Sequence, residues 1–304
     1  MFLHLDLDCF FVSAHRTLDD SLLDIPVAVG GRSNVNIFSS KKEQREISTA
    51  SGAFVSTILT NEGKKTFKEY FVDENGKIRG IITTSSYEAR KYGVKTAMSV
   101  NEALVLCPHL KMLPPNYPLY HDLSIKLRDL LAKEVPLLEQ FSIDEFFADV
   151  TGYIDESEIE EFALYLKKKI FDELKLPISI GIANTKYLSK LITEYAKPDG
   201  IKYVSAQNVE SFIHDIPIRE FPGIGKAFQE RLKGYGIKTL GDIRKNQKLF
   251  YSWKKSGIDL YNRVCGIRDN KLSFEREKKS IGIGRTFDVI YNRDELRRRV
   301  MILS

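Results

Sequence analysis

The stretch "FSIDEFFADV", residues 141–150, places two neighbouring carboxylates inside an apolar segment. The acids are Asp144 and Glu145, and phenylalanine or isoleucine flanks them on both sides. The apolar neighbours predict a buried strand or hairpin, and a buried carboxylate needs a compensating partner. We therefore expect another segment of the chain or a bound cation to supply a partner for this acidic pair.

A second acidic segment begins the chain, where "FLHLDLDCF" alternates between apolar and polar residues. This period of two predicts a strand with His4, Asp6 and Asp8 on one face. If that strand lies beside the "FSIDEFFADV" strand, Asp6 can converge with Asp144 and Glu145. Converging carboxylates raise one another's pKa, and a divalent cation such as Mg²⁺ removes the repulsion. Acids in such pairs are also common on exposed strand edges, which is the alternative interpretation.

Composition narrows the class of protein. The 304 residues are 43% hydrophobic, which is enough for more than one domain. No run of eighteen apolar residues occurs, and the N-terminal segment carries acids rather than a signal peptide's basic start, so we expect no membrane span and no leader. Three separated cysteines and five scattered histidines argue against disulfides and against a zinc site.

The charge is unevenly distributed. The net charge is +5, and residues 276–304 contain eight Lys or Arg against four Asp or Glu. This excess indicates either an ordinary solvated face or a surface that contacts a phosphate backbone.

Helices and strands alternate outward from the two acidic strands. Periodicity and end signals predict strands at 25–31 and 177–183, and helices at 85–94, 99–108, 118–134 and 157–174. Ser157 followed by Glu160 predicts a capping box at the last of these helices. This order predicts an α+β fold, and a domain boundary falls near residue 205, where the chain becomes helical.

Residues 33–78 do not fit a compact layout. "AFVSTILT", residues 53–60, and "KTFKEYFV", residues 65–72, predict two strands around the turn "NEGK". "DENGK" is a second turn signal. The segment is interpreted as a β-excursion, with a partly disordered loop as the alternative.

Two further segments carry residues suited to phosphate. "SYEARKYGV" places Tyr87 and Arg90 three residues apart on one helix face, and a planar guanidinium suits phosphate. Lys197 in "AKPDG" can reach a phosphate site from a turn. The structural alternatives are a core tyrosine, a solvated arginine and a surface lysine.

The stretch "FPGIGKAFQERLKGYGIKTLGDI", residues 221–243, has the pattern of a helix-hairpin-helix motif. Gly223 and Gly225 let backbone N–H groups approach an anion, and Lys226 adds a positive charge. Such a motif binds the DNA backbone without reading its sequence. A plain glycine-rich turn is the alternative, and the pattern of a Walker loop is absent from the sequence.

Seven segments resemble the Y-family DNA polymerases, most closely their bacterial DinB branch: "HLDLDCFFVS", "DIPVAVGG", "SSYEARKYGVKTAMS", "LCPHLKMLP", "FSIDEFFADVTG", "ISIGIANTKYLSKLITEYAKPDG" and "FPGIGK". They follow the family's order and cover most of residues 1–280. The resemblance implies an α+β right-hand polymerase with a ferredoxin-like palm, small fingers, a helical helix-hairpin-helix thumb and the start of a little finger. The implied domains are a palm at 1–17 and 116–204, fingers at 18–115 with an insertion at about 33–78, a thumb at 205–271, and a linker with a truncated little finger at 272–304.

The resemblance also implies the reaction. A primer 3′-hydroxyl attacks the α-phosphate of an incoming deoxynucleotide on a DNA template and pyrophosphate leaves, with low fidelity, in translesion synthesis and DNA repair. Two Mg²⁺ ions, for which Mn²⁺ can substitute, are held in the family by groups that match Asp6, Asp144, Glu145 and the backbone carbonyl of Leu7 here.

Further site residues follow from the same resemblance. Phe11 matches the steric gate, whose flat ring leaves no room for a ribose 2′-hydroxyl. The triphosphate contacts match the backbone around Phe10 and the side chains of Tyr87, Arg90 and Lys197. The DNA contacts match Gly223, Gly225 and Lys226.

The chain departs from the family in two places. About 40 extra residues separate "AVGG" from "YEAR", and the little finger stops after its first segment, "KSIGIGRTFD" onward. The remaining strands of the little finger and the family's terminal sliding-clamp peptide do not occur in these residues. We therefore expect a weak grip on DNA and low processivity. We otherwise expect a monomer in the bacterial cytoplasm, associated with the nucleoid.

Three other classes of protein remain open at this point. A non-catalytic DNA-binding accessory factor with the polymerase fold would have lost the acids, which this chain keeps. A helix-hairpin-helix glycosylase leaves the N-terminal acids unexplained. A metal-dependent nucleotidyl cyclase shares the palm but does not explain the helix-hairpin-helix motif.

Overall fold

The computed structural model describes residues 1–32, 62–267, 272–274 and 289–303, and the backbone of 46–47 and 58–59. The strands are β1 (Phe2–Leu7), β2 (Val27–Gly31), β3 (Glu46–Ile47), β4 (Ile58–Leu59), β5 (Ile81–Ser85), β6 (Lys111–Leu113), β7 (Leu137–Gln140), β8 (Glu145–Asp149), β9 (Ile178–Ala183) and β10 (Ile201–Tyr203). The helices are α1 (Phe10–Arg16), α2 (Phe67–Phe71), α3 (Tyr87–Lys91), α4 (Val100–Leu106), α5 (Tyr117–Glu134), α6 (Ile159–Leu174), α7 (Lys186–Glu194), α8 (Val209–Ile213), α9 (Lys226–Lys233), α10 (Leu240–Lys245), α11 (Gln247–Ser252), α12 (Lys254–Cys265) and α13 (Arg293–Leu303). Within these ranges, no helix has the length and apolarity that a membrane crossing requires.

The chain forms two compact units, and the first contains Met1–Asp8 and Ser124–Phe274. Its five-stranded sheet has the order β10-β9-β1-β8-β7, in which β10 and β9 are parallel and the other neighbours antiparallel. All six residues of the central strand β1 are buried. The predicted α+β class is confirmed, and the acidic strand lies at the centre of its sheet.

The segment "FSIDEFFADV" forms the second half of a hairpin. β8 pairs with β7, and the connecting turn contains Asp144, so Glu145 is the first residue of the strand. Phe146 and Phe147 are buried and fix the strand in the sheet. The two acids therefore lie where the turn meets the strand, which explains how an apolar strand accommodates them.

Helix α7 packs directly on the sheet because Gly181 has no side chain. A Cβ atom there would lie 2.3 Å from the carbonyl oxygen of Ser189 and 2.4 Å from the backbone nitrogen of Thr193. Gly181 is the register partner of His4 on β1. The close contact therefore places the side chains of α7 over the acidic face of β1.

The second unit contains Cys9–Leu123 and Glu275–Ser304. Its three-stranded sheet has the order β5-β2-β6, and a buried cluster that includes Ala28, Ala89 and Val100 packs α3 and α4 with it. The predicted helices at 85–94, 99–108 and 118–134 correspond to α3, α4 and α5. The residues of the predicted little-finger segment "KSIGIGRTFD" lie outside the described ranges.

The predicted strand "KTFKEYFV" is wrong, because Phe67–Phe71 forms α2. Thr66 caps this helix, since its hydroxyl accepts the Glu69 N–H while the Glu69 carboxylate accepts the Thr66 N–H at 2.7 Å. Phe67 and Phe71 lie one turn apart with ring centroids separated by 5.3 Å. Aromatic content favoured a strand, but capping and the one-turn aromatic pair stabilise a helix. In "AFVSTILT", only Ile58–Leu59 is described, as the strand β4 paired with β3.

The predicted capping box at Ser157 is also wrong. A 3₁₀ turn spans Glu156–Glu158, with the Glu158 N–H donating to the Asp155 carbonyl at 3.0 Å. α6 begins at Ile159, and its N-cap Glu158 makes no side-chain capping bond. Ser157 lies within this tighter turn, so the Ser157 hydroxyl does not cap the helix.

Candidate active site

The sheet register brings three acids together from distant positions in the sequence. Asp6 on β1 lies directly opposite Glu145 on β8. The Leu7 N–H donates to the Asp144 carbonyl at 3.1 Å, so the turn residue adjoins the end of β1. Asp6, Leu7, Asp144 and Glu145 thus form one cluster at the ends of the two strands.

Burial dominates the electrostatics of this cluster. Burial raises the pKa of Asp6 to about 7; the Lys197 ammonium opposes the shift, and the charges of Asp144 and Glu145 add to it. Burial also raises the pKa of Asp144, against a hydrogen bond from Ser142. The carboxylates are hard oxygen donors that carry an unfavourable excess of negative charge, which fits a divalent cation.

Two lysines face the acids. Lys197 Nζ lies 3.0 Å from Asp6 Oδ2 and 2.8 Å from Glu194 Oε1. Lys190 Nζ lies 2.5 Å from Glu145 Oε1. The sequence interpretation overlooked Lys190, although its spacing of four residues from Lys186 indicates a shared face of α7.

Ser142 orients the acidic turn. Its hydroxyl donates to Asp144 Oδ1 at 2.6 Å and accepts the Glu145 N–H at 3.2 Å. Ser142 is buried, and one side chain therefore fixes both acids. A serine two residues before an aspartate in a tight turn is the sequence signal for such a contact.

Asp8 holds the turn that carries Lys197. Its Oδ2 accepts the Asp199 N–H at 2.7 Å and the Ser179 hydroxyl at 2.9 Å. Asp8 is buried, and these contacts tie the "KPDG" turn to β9. Asp8 therefore determines the position of Lys197 from outside the acidic cluster.

The predicted nucleotide contacts other than Lys197 lie in the second unit. Phe10 is 2% exposed and half-buried Phe11 stacks on Tyr120, with ring centroids 4.2 Å apart and planes 9° apart. Tyr87 packs with Phe11 against one buried apolar cluster. The Arg90 guanidinium lies 4.7 Å from the Tyr87 ring centroid, and its Nε donates to the Ser85 carbonyl at 3.1 Å.

Phe11 stacks on the ring of Tyr120, and the hydroxyl of Tyr120 contacts His15, which lies one turn after Phe11 on α1. His15 Nε2 lies 2.8 Å from the Tyr120 hydroxyl, and His15 is buried. Burial lowers the pKa of His15, and a backbone hydrogen bond with Pro114 opposes this only in part.

This histidine gives a prediction for stability. The unfolded state holds the proton of His15 more tightly than the folded state, so stability falls as pH falls through the ordinary histidine pKa of about 6.5. His15→Gln is expected to reduce that acid sensitivity while lowering stability at about pH 8 by roughly 1 kcal/mol through the altered hydrogen bond. Urea unfolding of both proteins at about pH 8 and about pH 5.5 measures this. An equal pH dependence in the two proteins contradicts it.

The glycine-rich loop before α9 has the geometry expected of an anion-binding turn. Gly223 has φ +93°, which favours glycine, and Gly225 is the N-cap of α9 with Lys226 as its first residue. A cavity of about 560 Å³ lies between this loop and the α7 residues Lys190 and Glu194. The open loop and its positive helix end can receive a phosphate backbone.

Sequence comparisons agree with this geometry. The model of the impB/mucB/samB family matches residues 5–194, and that of the IMS family HHH motif matches residues 206–237. DNA polymerase IV of Cronobacter sakazakii is 32% identical over 287 residues, covering 93% of this chain and 70% of the relative. DNA polymerase IV of Serratia proteamaculans is 33% identical, covering 93% of this chain and 69% of the relative.

Solved structures show the same fold. The insertion ternary complex of Dbh DNA polymerase is 24% identical with a TM-score of 0.69, covering 89% of this chain and 69% of that one. DinB from Sulfolobus solfataricus is 24% identical with a TM-score of 0.67, covering 90% of this chain and 69% of that one. The family model spans more than half of the chain, and the relatives exceed 30% identity over most of their length. The chain therefore belongs to the impB/mucB/samB family, within the DinB-like Y-family DNA polymerases.

Proposed function

We propose that this protein is a DNA-directed DNA polymerase of low fidelity that acts in translesion synthesis and DNA repair. The observation that carries the proposal is the cluster of Asp6, Asp144 and Glu145 with Lys197 beside it. A triad of acids with an adjacent ammonium fits a reaction in which negative charge accumulates on phosphate oxygens. The names of the relatives support the same activity.

The proposed cofactor is Mg²⁺, with two ions per site and Mn²⁺ as a substitute. Asp6, Asp144, Glu145 and the Leu7 carbonyl would hold them. When bound, divalent cations supply positive charge to the attacking and leaving oxygens of phosphoryl transfer. The buried acids with raised pKa fit this role, since bound cations favour their ionised form.

The remaining residues position the substrates. Lys197, Arg90 and Tyr87 are proposed to bind the triphosphate with the backbone at Phe10, and Phe11 is proposed to exclude a ribose. A flat ring stacked on Tyr120 cannot swing away without losing that contact. The proposed partners are primer–template DNA and an incoming deoxynucleotide, bound by a monomer in the bacterial cytoplasm. The division into palm, fingers, thumb and little finger stays a prediction.

Template-directed primer extension tests the function. The wild-type chain is incubated with a primed template, one deoxynucleotide at a time, with Mg²⁺ and with a chelator. At most template bases, we expect extension only by the complementary nucleotide. We expect no extension with the chelator. DNA binding without any extension supports the accessory-factor alternative and overturns the proposal.

Loss of the turn anchor gives a kinetic prediction. Asp8→Ala removes both hydrogen bonds that hold the Lys197 turn, so KM for the deoxynucleotide is expected to rise about tenfold, the order of one charge-assisted hydrogen bond. The kcat value is expected to change less. Steady-state incorporation kinetics measure both. Asp8→Asn, which keeps an acceptor oxygen, is the matched control and is expected to recover part of the loss; a kcat defect with unchanged KM contradicts the assigned role.

The glycine-rich loop gives a prediction for DNA affinity. Lys226→Ala is expected to weaken binding uniformly across DNA sequences and to reduce the slope of log affinity against log salt by about 1. Fluorescence anisotropy at several salt concentrations measures this. Lys168→Ala, on α6, is the control for a change in net charge alone. If Lys226→Ala and the control have the same slope, the loop does not contact the phosphate backbone.

A further inference from the structure

Helix α2 lies in the extra stretch at about 33–78, to which the proposed function assigns no role. The side chain of Phe71 is fully buried, and Gly30 on β2 leaves room for its ring. A Cβ atom on Gly30 would lie 2.6 Å from Phe71 Cε1. Directly after β2, the Arg32 N–H donates to the Tyr70 hydroxyl at 3.1 Å. Two neighbouring aromatic residues therefore attach α2 to the sheet of the second unit.

The residues just before α2 contact the start of α5. The Glu62 N–H donates to the Pro115 carbonyl at 3.1 Å. A Cβ atom on Gly63 would lie 3.0 Å from the Cβ atom of Asn116. Asn116 directly precedes α5, and its carbonyl accepts the Tyr120 N–H at 3.2 Å. The extra stretch therefore contacts the beginning of the helix that supplies both tyrosines around the steric-gate ring.

Tyr70 on α2 also lies close to these two tyrosines. Burial raises the pKa of Tyr70 to about 12, and the neighbouring Tyr117 adds to the shift. Burial likewise raises the pKa of Tyr120, with further contributions from Tyr117 and Tyr70. Such mutual effects require that the three hydroxyls lie near one another. Tyr117 in turn contacts the edge of the Phe11 ring, and Tyr120 contacts its face.

We propose that Tyr70 is a positioning residue for the steric gate, which makes the extra stretch a determinant of sugar selectivity. Tyr70 limits the movement of Tyr117 and Tyr120, and these two rings hold Phe11 at its edge and its face. A ring packed between aromatic neighbours loses those contacts when it is displaced. The inference rests on the proposed polymerase function and on the gate role of Phe11.

Nucleotide selectivity tests this role. Tyr70→Ala is expected to lower the ratio of kcat/KM for a deoxynucleotide to that for its ribonucleotide by about tenfold, mainly through a lower KM for the ribonucleotide. A defect of folding alone would reduce the amount of active protein, which scales both kcat/KM values equally and leaves the ratio unchanged. An unchanged ratio in a folded Tyr70→Ala variant therefore overturns the proposal.

Two matched variants distinguish the ring from its surroundings. Tyr70→Phe keeps the ring and loses only the hydroxyl that accepts the Arg32 N–H, so it is expected to restore most of the selectivity. Lys68→Ala, at an exposed position on the same helix, is expected to keep the wild-type ratio. If Tyr70→Ala does not fold, Gly63→Val replaces it, because the added side chain pushes the extra stretch away from Asn116. Gly63→Val is expected to lower the ratio as well, and an unchanged ratio overturns the proposal.

A measurement without DNA or nucleotide separates this inference from the polymerase function. The full chain is prepared with 4-fluorophenylalanine in place of Phe11, and its ¹⁹F NMR spectrum is recorded. Tyr70→Ala is expected to shift or broaden the signal, whereas Lys68→Ala is expected to leave it unchanged. An unchanged signal in Tyr70→Ala overturns the proposal. A wild type that extends no primer overturns the polymerase function, and the ¹⁹F response then still decides whether Tyr70 holds Phe11.

Discussion

Asp144→Ala is expected to lower the rate of primer extension by about a thousandfold, equivalent to about 4 kcal/mol of transition-state stabilisation. Asp144 supplies one of three carboxylates to the cluster, and its position is fixed by Ser142 and by the Leu7 N–H. Removing it leaves Asp6 and Glu145 in register but takes away one of the oxygen donors proposed for the cations.

Single-turnover extension under saturating Mg²⁺ measures the Asp144→Ala effect. Burial raises the pKa of Asp144, which means that its ionised form is unfavourable in the fold. The variant is therefore expected to melt no lower than the wild type, so lost activity cannot be attributed to unfolding. Asp172→Ala, an exposed acid on α6, is the matched control and is expected to keep full activity. Equal extension by Asp144→Ala and wild type contradicts the assigned role.

Phe11→Ala is expected to relax discrimination against ribonucleotides by about a hundredfold. The Phe11 ring lies flat on Tyr120, and Tyr117 contacts its edge with centroids 6.2 Å apart. This support keeps the ring in one place, where its bulk is proposed to exclude a 2′-hydroxyl. Alanine leaves an open volume that accepts the additional oxygen.

The ratio of kcat/KM for a deoxynucleotide to that for its ribonucleotide measures the Phe11→Ala effect. The loss of discrimination is expected to come from a higher kcat/KM for the ribonucleotide. The kcat/KM for the deoxynucleotide is expected to change less. Tyr120→Phe is the matched control, because it keeps the stacked ring and removes only the hydroxyl that contacts His15. Its discrimination is expected to stay near that of the wild type. An unchanged ratio in Phe11→Ala would falsify the gate assignment.

The sequence predicted the central elements because each has a strong local signal. Alternation in "FLHLDLDCF" predicted β1, and the aromatic run after Glu145 predicted β8. The convergence of the acids depended on the two strands being neighbours, a long-range property that a period of two does not contain. The family resemblance supplied that pairing in advance.

The residues that the sequence did not predict act through distant contacts. Lys190 reaches Glu145 only because Gly181 lets α7 approach the sheet. The sequence predicted a strand where α2 forms because its aromatic residues favour strands, whereas the Thr66 capping box favours a helix.

The two lysines of the cluster have a consequence for how the protein takes up its cations. Lys197 and Lys190 pair with Asp6 and Glu145, which offsets part of the negative charge of the three acids. Cations held by these carboxylates would compete with both ammonium groups, so metal uptake would be an exchange of one positive charge for another. Lys197, which is proposed to bind the triphosphate, would then be able to contact it. In this arrangement, the arrival of cations would prepare the chain for its anionic substrate.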